Sequence, residues 1–524
     1  MYYPGLSAPF YLDDTNIILH AKSLPFNKLD IGSIFSPESV NINRNRIVSN
    51  ITLGLSNHFY GLEAKGYRYL NIFLHILNSI LLFQFIKATL FILRPKADHT
   101  TTVFTAFSAT LLWLAHPVQT QAVTYIIQRM TLMATCFFLL SLLFYIKGRL
   151  AGTTVARALH LTACVISGFL ALGSKEIAAT LPFFILLYEW FFFQEARIDW
   201  LWNRRYFLLG ILLVLALISL VYTKGDPLSI FAHGYALRDF TLKERLLTES
   251  RVILFYLSLL VFPSPSRLSL EHDFSLSTSL FSPVTTLFSI LFIVLCLMSA
   301  LLMARRQRLF SFIILWFFGN LVIESTIVPL ELVFEHRLYL PSALLFIPVP
   351  LALLRVFPKK YPAIGLVIML TMLFSTWTWQ RNRVWADPLL FKKNNVVHAP
   401  ASHRARNDYG QELLNRGFVT EGFRQLDEAI RLNPEYFQAH YNYGMHLTKL
   451  GDINRAITHL KKAIQIRPHS DDAHNNLGIA YGKKGDFRKA LREFDKALEI
   501  NPQNSQAAQN RKMVLSFLGT SVVQ

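Results

Sequence analysis

The sequence predicts an all-α protein in two parts, a polytopic helical membrane domain with about ten spans followed by a superhelical repeat array. Three observations carry this. Of 524 residues, 52% are hydrophobic, 43 of them Phe, and only 16% are charged, which is too apolar for a soluble chain of this length. Apolar segments long enough at about 20 residues to cross roughly 30 Å of hydrocarbon recur from Tyr67 to Thr378. Beyond them a polar sequence repeats with a period of 34 residues.

The net charge of +19, from 52 basic and 33 acidic residues, has two usual causes, nucleic-acid binding and basic cytoplasmic loops. Here the basic residues lie between apolar segments, not in one stripe with stacking aromatics, so no nucleic-acid partner is expected. Cys136, Cys164 and Cys296 lie inside apolar segments and read as small buried hydrophobes; neither a disulfide nor a metal site is expected from them.

Taken in order, residues 1–66 are polar and rich in turn formers, and read as an external first loop carrying two adjacent carboxylates, Asp13 and Asp14. Adjacent like charges repel, which raises one pKa of such a pair and leaves a carboxylate able to act as a base or hold a cation. No cleavable signal peptide is recognisable, and an apolar helix is expected upstream of Met1. Residues 67–380 form the membrane domain, with spans predicted at 67–93, 102–114, 131–146, 158–172, 177–193, 206–222, 283–303, 309–322, 338–354 and 361–378.

Basic clusters at Arg94 and Lys96, at Lys147 to Arg157, at Arg197 to Arg205, at Arg305 to Arg308 and at Arg355 to Lys360 mark the cytoplasmic side. That parity requires the apolar stretch 246–262, ended by Pro263, to be an interfacial or re-entrant helix. The first loop, His116, Lys175 with Glu176, Glu335 to Arg337 and the C-terminal domain then share the external face. A linker is predicted at 381–402, and residues 403–524 hold three tetratricopeptide repeats closed by a capping helix at 505–518. Four columns agree on the period: Gly410, Gly444 and Gly478; Gly417, Gly451 and Gly485; Ala429, Ala463 and Ala497; Pro434, Pro468 and Pro502.

Polar residues at the external ends of spans are the candidates for chemistry. Arg129 closes the segment that begins His116-Pro117-Val118-Gln119, and an arginine at that depth needs an anion or snorkels to water. Lys175 and Glu176 form a basic and acidic pair at another boundary, and Glu335, His336 and Arg337 open a span with three polar residues in a row. No phosphate-binding glycine loop, zinc-spaced histidine pair or nucleophile elbow is present. External carboxylates and cations without a nucleotide site point to a transferase with a lipid-linked donor. The cations would hold the lipid phosphate, and the carboxylate would deprotonate an acceptor hydroxyl.

The ordered motifs FYLDD at 10–14, Arg46 ahead of Asn50, GYRYLNIFLHILN at 66–78, HPVQTQAVTYIIQR at 116–129, GSKEIAATLP at 173–182, FEHRLYLPS at 334–342 and RNRVW at 381–385, followed by the repeats, carry a resemblance. The chain resembles the transmembrane and tetratricopeptide repeat containing proteins and their bacterial relatives, which are similar to protein O-mannosyltransferases of the GT-C glycosyltransferase fold. The resemblance implies a polytopic enzyme that takes a hexose, mannose in the eukaryotic members, from a polyprenyl-phosphate donor and attaches it to Ser or Thr of a protein. It implies catalysis by Asp13 and Asp14, with Asp13 the preferred base, and donor-phosphate binding by Arg129, Arg337 and Arg46. His116, Lys175, Glu176, Glu335 and His336 enter as further site candidates by motif matching alone.

The implied co-substrate is the lipid-linked sugar, with room left for a divalent cation, and the implied partners are membrane lipids and an acceptor protein held by the repeats. The location implied is a bacterial inner membrane with the first loop and the repeats in the periplasm, or the endoplasmic reticulum lumen in a eukaryote. Two other readings fit the same residues. One is a non-enzymatic membrane-anchored scaffold for envelope or secretion assembly; the other is a GT-C enzyme with a lipid or polysaccharide acceptor.

Overall fold

The computed structural model describes residues 1–15, 18, 46–96, 98–206, 234–236, 238–357 and 359–521, and every regular element among them is helical. It divides into two compact units, Met1–Leu270 with Phe274–Asp387, and Glu271–Asp273 with Pro388–Gln524.

In the first unit, six helices among the described residues are long and apolar enough to cross a membrane: Ala64–Leu93, Ile126–Leu150, Thr154–Leu172, Glu176–Phe193, Thr285–Leu302 and Lys360–Ala386. Their outer faces are apolar too. Phe288, Phe292, Leu295 and Met298 of Thr285–Leu302 are exposed, as a lipid-facing helix requires, so the chain is a membrane protein. Between the helices an aromatic core of Phe85, Phe138, Phe184, Tyr188, Phe312 and Trp316 is closed by edge-on and tilted ring contacts.

Several predicted spans take other forms. The stretch 102–114 lies in a helix of 17 residues, His99–Ala115, whose N-terminus is capped by Asp98 through the amides of Thr100 and Thr101. The stretch 338–354 is not one helix. It runs as short 3-10 turns at Glu335–Leu338 and Pro341–Leu344 and then a helix of 9 residues, Pro348–Val356, because Pro341, Pro348 and Pro350 remove backbone donors where a continuous ladder needs them. All but the first residue of the predicted span 206–222 lies outside the described residues, as do residues 16–17 and 19–45 of the first loop. All but the last residue of the stretch 246–262 lies in a 20-residue helix, Leu242–Val261, opened by a reciprocal capping box of Thr241 and Glu244 and absent from the six apolar candidates. The expected linker 381–402 is also helical. Its first residues continue Lys360–Ala386, with Arg381, Asn382 and Trp385 buried, and Pro388–His398 follows.

The second unit pairs His403–Asn415 with Val419–Leu432, Phe437–Leu450 with Ile453–Ile466 and Asp471–Lys484 with Phe487–Ile500, then ends in Ser505–Ser521. The two glycine columns have different causes. Gly417, Gly451 and Gly485 end first helices at φ of 84°, 91° and 86°, a left-handed conformation open to glycine at little cost. Gly444 and Gly478 lie where the paired helix passes: a Cβ at Gly478 would stand 2.5 Å from Phe494 Cε1, and one at Gly444 would stand 2.6 Å from Leu460 Cγ. Gly478→Ala is therefore expected to destabilise the array by about 1–3 kcal/mol through overpacking. Gly482→Ala, four residues on, faces open space and is expected to stabilise by about 0.4–1 kcal/mol. Thermal melts of the two variants followed by circular dichroism check the opposite signs.

Candidate active site

The N-terminal segment is tied down by one arginine. Arg68, buried near the start of Ala64–Leu93, donates through Nε to Thr124 O at 3.0 Å, through Nη2 to Pro9 O at 2.7 Å, and through Nη1 to Ala8 O. Two residues after Pro9, Tyr11 Oη donates to Trp385 O at 2.8 Å, and its ring meets that indole edge-on. The end of Lys360–Ala386 therefore forms a wall of the site. Leu12 then takes a φ of 43°, a left-handed conformation uncommon for a side chain of its size and of a kind that clusters at functional sites.

That turn sends the two carboxylates in opposite directions. Asp14 is fully buried, and its carboxylate accepts from the Ile127 amide at 2.8 Å and more weakly from the Tyr11 amide at 3.4 Å. Burial pushes its pKa up to about 7, against the pull of those amides and of Arg68. Asp13 is exposed, and its backbone N–H donates to Tyr125 Oη at 3.1 Å. The acid pair is thus one anchoring group and one accessible group.

The segment from Tyr125 to Thr131 leads from the acids to the charged residues. Ile127 holds Asp14, and Thr131, four residues and about 6 Å further along the helix axis, accepts from Lys175 Nζ at 3.2 Å. Lys175 is buried and pairs with Glu324 at 2.7 Å. Arg46 grips Glu176 with Nε at 3.1 and 2.9 Å from its two oxygens. Arg337 reaches Glu249 at 3.8 Å, and Glu249 also pairs with Arg245 at 2.9 Å. His336 faces this group: burial, together with Lys175, Arg337 and Arg46, holds its imidazole well below the ordinary pKa and so neutral at pH 7. Among the described residues its Nδ1 has no hydrogen-bond partner.

Two candidates, Arg129, expected at the donor phosphate, and His116, have their polar groups committed within the fold. Arg129 is fully buried, and four of its N–H groups are committed to Asn71 Oδ1, Thr52 O, Ser56 Oγ and Tyr67 O at 2.8–3.0 Å, so it clamps helices together and offers little to a phosphate. His116 is buried between Phe346 and Phe374, with Nε2 donating to Leu260 O at 3.1 Å and Nδ1 accepting from the Val118 amide. Both ring nitrogens serve the fold. Glu335 accepts from the Ser269 amide at 2.6 Å and lies within electrostatic reach of Arg381. Sequence reasoning missed Arg68, Tyr125, Arg245, Glu249 and Glu324. Among the described residues no group of three or more His, Cys, Asp or Glu side chains converges as a metal-binding set.

Comparison with known proteins adds three findings. Residues 444–485 match the family described as TPR repeat, and residues 471–504 match the tetratricopeptide repeat. Among curated proteins, the chain is similar to one named protein O-mannosyl-transferase from Caenorhabditis elegans, with 24% identity over 420 residues, 75% of this chain and 54% of that one. A protein of the same name from Drosophila melanogaster is 24% identical over 465 residues, 75% of this chain and 49% of that one. One from Mus musculus is 30% identical over 154 residues, 28% of this chain and 17% of that one. These names bear out the resemblance read from the motifs, and the chain spans about half the length of the first two relatives. Among solved structures, a crystal structure of MamA is 24% identical and covers 31% of this chain and 90% of its own, with a TM-score of 0.21. A crystal structure of YrrB, titled a TPR protein with an unusual peptide-binding site, is 18% identical and covers 41% and 90%, with a TM-score of 0.23.

Proposed function

We propose that the protein is a membrane glycosyltransferase that moves a hexose, mannose in the first instance, from a polyprenyl-phosphate donor to Ser or Thr hydroxyls of a protein on the external side of the membrane. The observation that carries this reading is the division of the acid pair: Asp14 is fixed in the fold by the Ile127 amide, while Asp13 is exposed and held at Tyr125, at the start of the same segment that meets Lys175 at Thr131. The names of the curated relatives support the reaction class and the protein acceptor.

In this mechanism the acceptor oxygen attacks the anomeric carbon as Asp13 takes its proton. The bond from that carbon to the phosphate oxygen breaks, its electron pair leaves with polyprenyl phosphate, and the configuration inverts. Arg46 is the most accessible of the three expected phosphate ligands and contacts the donor directly, exchanging part of its pairing with Glu176 for phosphate oxygens. Lys175 and Arg337 stand behind it as buried positive charge that opposes the charge developing on the leaving group. The repeats engage the acceptor.

Proteoliposomes of the full chain, supplied with a polyprenyl-phosphate mannose and a Ser/Thr-bearing protein, test the reading. Transfer to the protein is expected, and Arg46→Gln is expected to raise the donor KM by roughly 10-fold or more, the loss of one charge-assisted hydrogen bond. Sugar found only on lipid or polysaccharide overturns the protein acceptor. No transfer at all, with partners retained by the repeats, overturns the enzyme in favour of a scaffold.

A further inference from the structure

A cavity of about 180 Å³ lies at the far end of the membrane unit from the acid pair, lined by Arg94, Arg306, Arg308 and Arg355. Arg94 follows Arg68 by 26 residues along a single helix, about 39 Å at 1.5 Å per residue, so this is a separate place in the fold. Its floor is apolar, with Leu93, Phe310 and Leu351 among the lining residues.

Four guanidinium groups around one hollow repel each other. Among the described residues only Arg308 has a carboxylate within ion-pair distance, Glu195 at 3.7 Å, and that glutamate is largely exposed. Helix ends account for half of the set. Arg94 and Arg355 stand at the C-terminal ends of Ala64–Leu93 and Pro348–Val356, where a cation is favoured. Arg308 stands at the N-terminal end of Arg308–Leu321, which has no side-chain cap and where the helix favours an anion, and Arg306 lies in the turn that joins the end of Thr285–Leu302 to it. The Arg308 charge is placed against its local field, and an anion in the cavity reverses that penalty.

We propose that this cavity binds the phosphate headgroup of an anionic membrane lipid. The guanidinium forks donate to the phosphate oxygens, and the apolar floor receives the first carbons of the glycerol and acyl portion. A basic pocket between helix ends is suited to such a headgroup. Free inorganic phosphate offers the same oxygens but nothing to cover Leu93, Phe310 and Leu351, which is why the membrane lipid is the occupant the cavity fits.

The full chain in phosphatidylcholine nanodiscs, with and without phosphatidylglycerol, provides the test, with bound lipid read by native mass spectrometry. Phosphatidylglycerol is expected to be retained in preference to phosphatidylcholine, and the double variant Arg306→Gln/Arg355→Gln is expected to lower that retention by about 10-fold or more at unchanged helix content. Arg306→Lys/Arg355→Lys keeps the charge without the fork and is expected to lose part of the retention. It keeps the question open to measurement if the glutamine variant does not fold. Equal retention in the wild type and in the variant that folds overturns the site. Complete displacement of the lipid by inorganic phosphate at matched ionic strength overturns the lipid as its occupant.

Discussion

Asp13→Asn is expected to lower the rate of transfer at saturating donor by about 10²–10⁴-fold, the usual worth of a general base, while the chain remains inserted and the donor KM changes little. The matching substitution one residue on is expected to be far milder. Asp14→Asn keeps an oxygen where the Ile127 amide needs an acceptor at 2.8 Å. Burial has already raised the Asp14 pKa to about 7, which favours the neutral acid, so a neutral amide is a smaller change in charge here than at an ordinary aspartate. The amide nitrogen must then face the Tyr11 N–H, at about 1 kcal/mol of stability and less than about 10-fold in rate. Initial rates of both variants with a polyprenyl-phosphate mannose, alongside their thermal unfolding in detergent, separate the two roles. Loss of activity in Asp14→Asn with full activity in Asp13→Asn would reverse the assignment.

The repeat array was legible because its constraints are local. The glycine columns at a 34-residue spacing correspond to left-handed helix ends and to helix pairs in close approach, and both demands recur in every repeat. Hydropathy was a coarser guide in the membrane unit. It registers that 338–354 is apolar but not that Pro341, Pro348 and Pro350 break its hydrogen-bond ladder, although those prolines stand in the sequence. It also takes Arg381 and Trp385 for the start of a linker, since a buried arginine lowers the mean without saying that its helix continues.

In the candidate site, the motifs pointed to residues but not to the direction in which they face. Asp13 and Asp14 are equivalent on paper and are separated by the φ of Leu12 and by the Ile127 amide, which lies 113 positions away. Arg129 looked like a free cation because its acceptors are main-chain oxygens and neutral side chains, which leave no charge pattern to read. Arg68 had the same signal, an arginine inside an apolar run, and Arg245 with Glu249 is an i,i+4 pair within a largely apolar helix; both could have been found by asking what each buried charge needs. Glu324 had it as well, an acid in the apolar run 321–328, although its partner, 149 residues away, could not be named from it.

That partnership gives the second large effect. Lys175 and Glu324 are both buried and meet at 2.7 Å, so Glu324→Ala is expected to cost about 3–5 kcal/mol, because it strands an ammonium that then has only Thr131 Oγ1 at 3.2 Å. Most of this is the desolvation of the orphaned charge, not the worth of the pair. The double variant Lys175→Met/Glu324→Leu is therefore expected to recover most of the lost stability, since two apolar side chains of similar length replace a buried ion pair at little or no net cost. Thermal unfolding of the three variants in detergent measures this directly, and a double variant no better than Glu324→Ala would mean that packing dominates the site. The transfer assay separates stability from function. The double variant removes one charge of each sign, so its net charge is unchanged; with the Lys175 ammonium the nearer of the two to the leaving phosphate, as the proposed mechanism requires, the recovered double variant is expected to remain at least about 10-fold slow. A double variant that is both stable and fully active would remove Lys175 from the leaving-group environment and leave Arg46 and Arg337 as its cations.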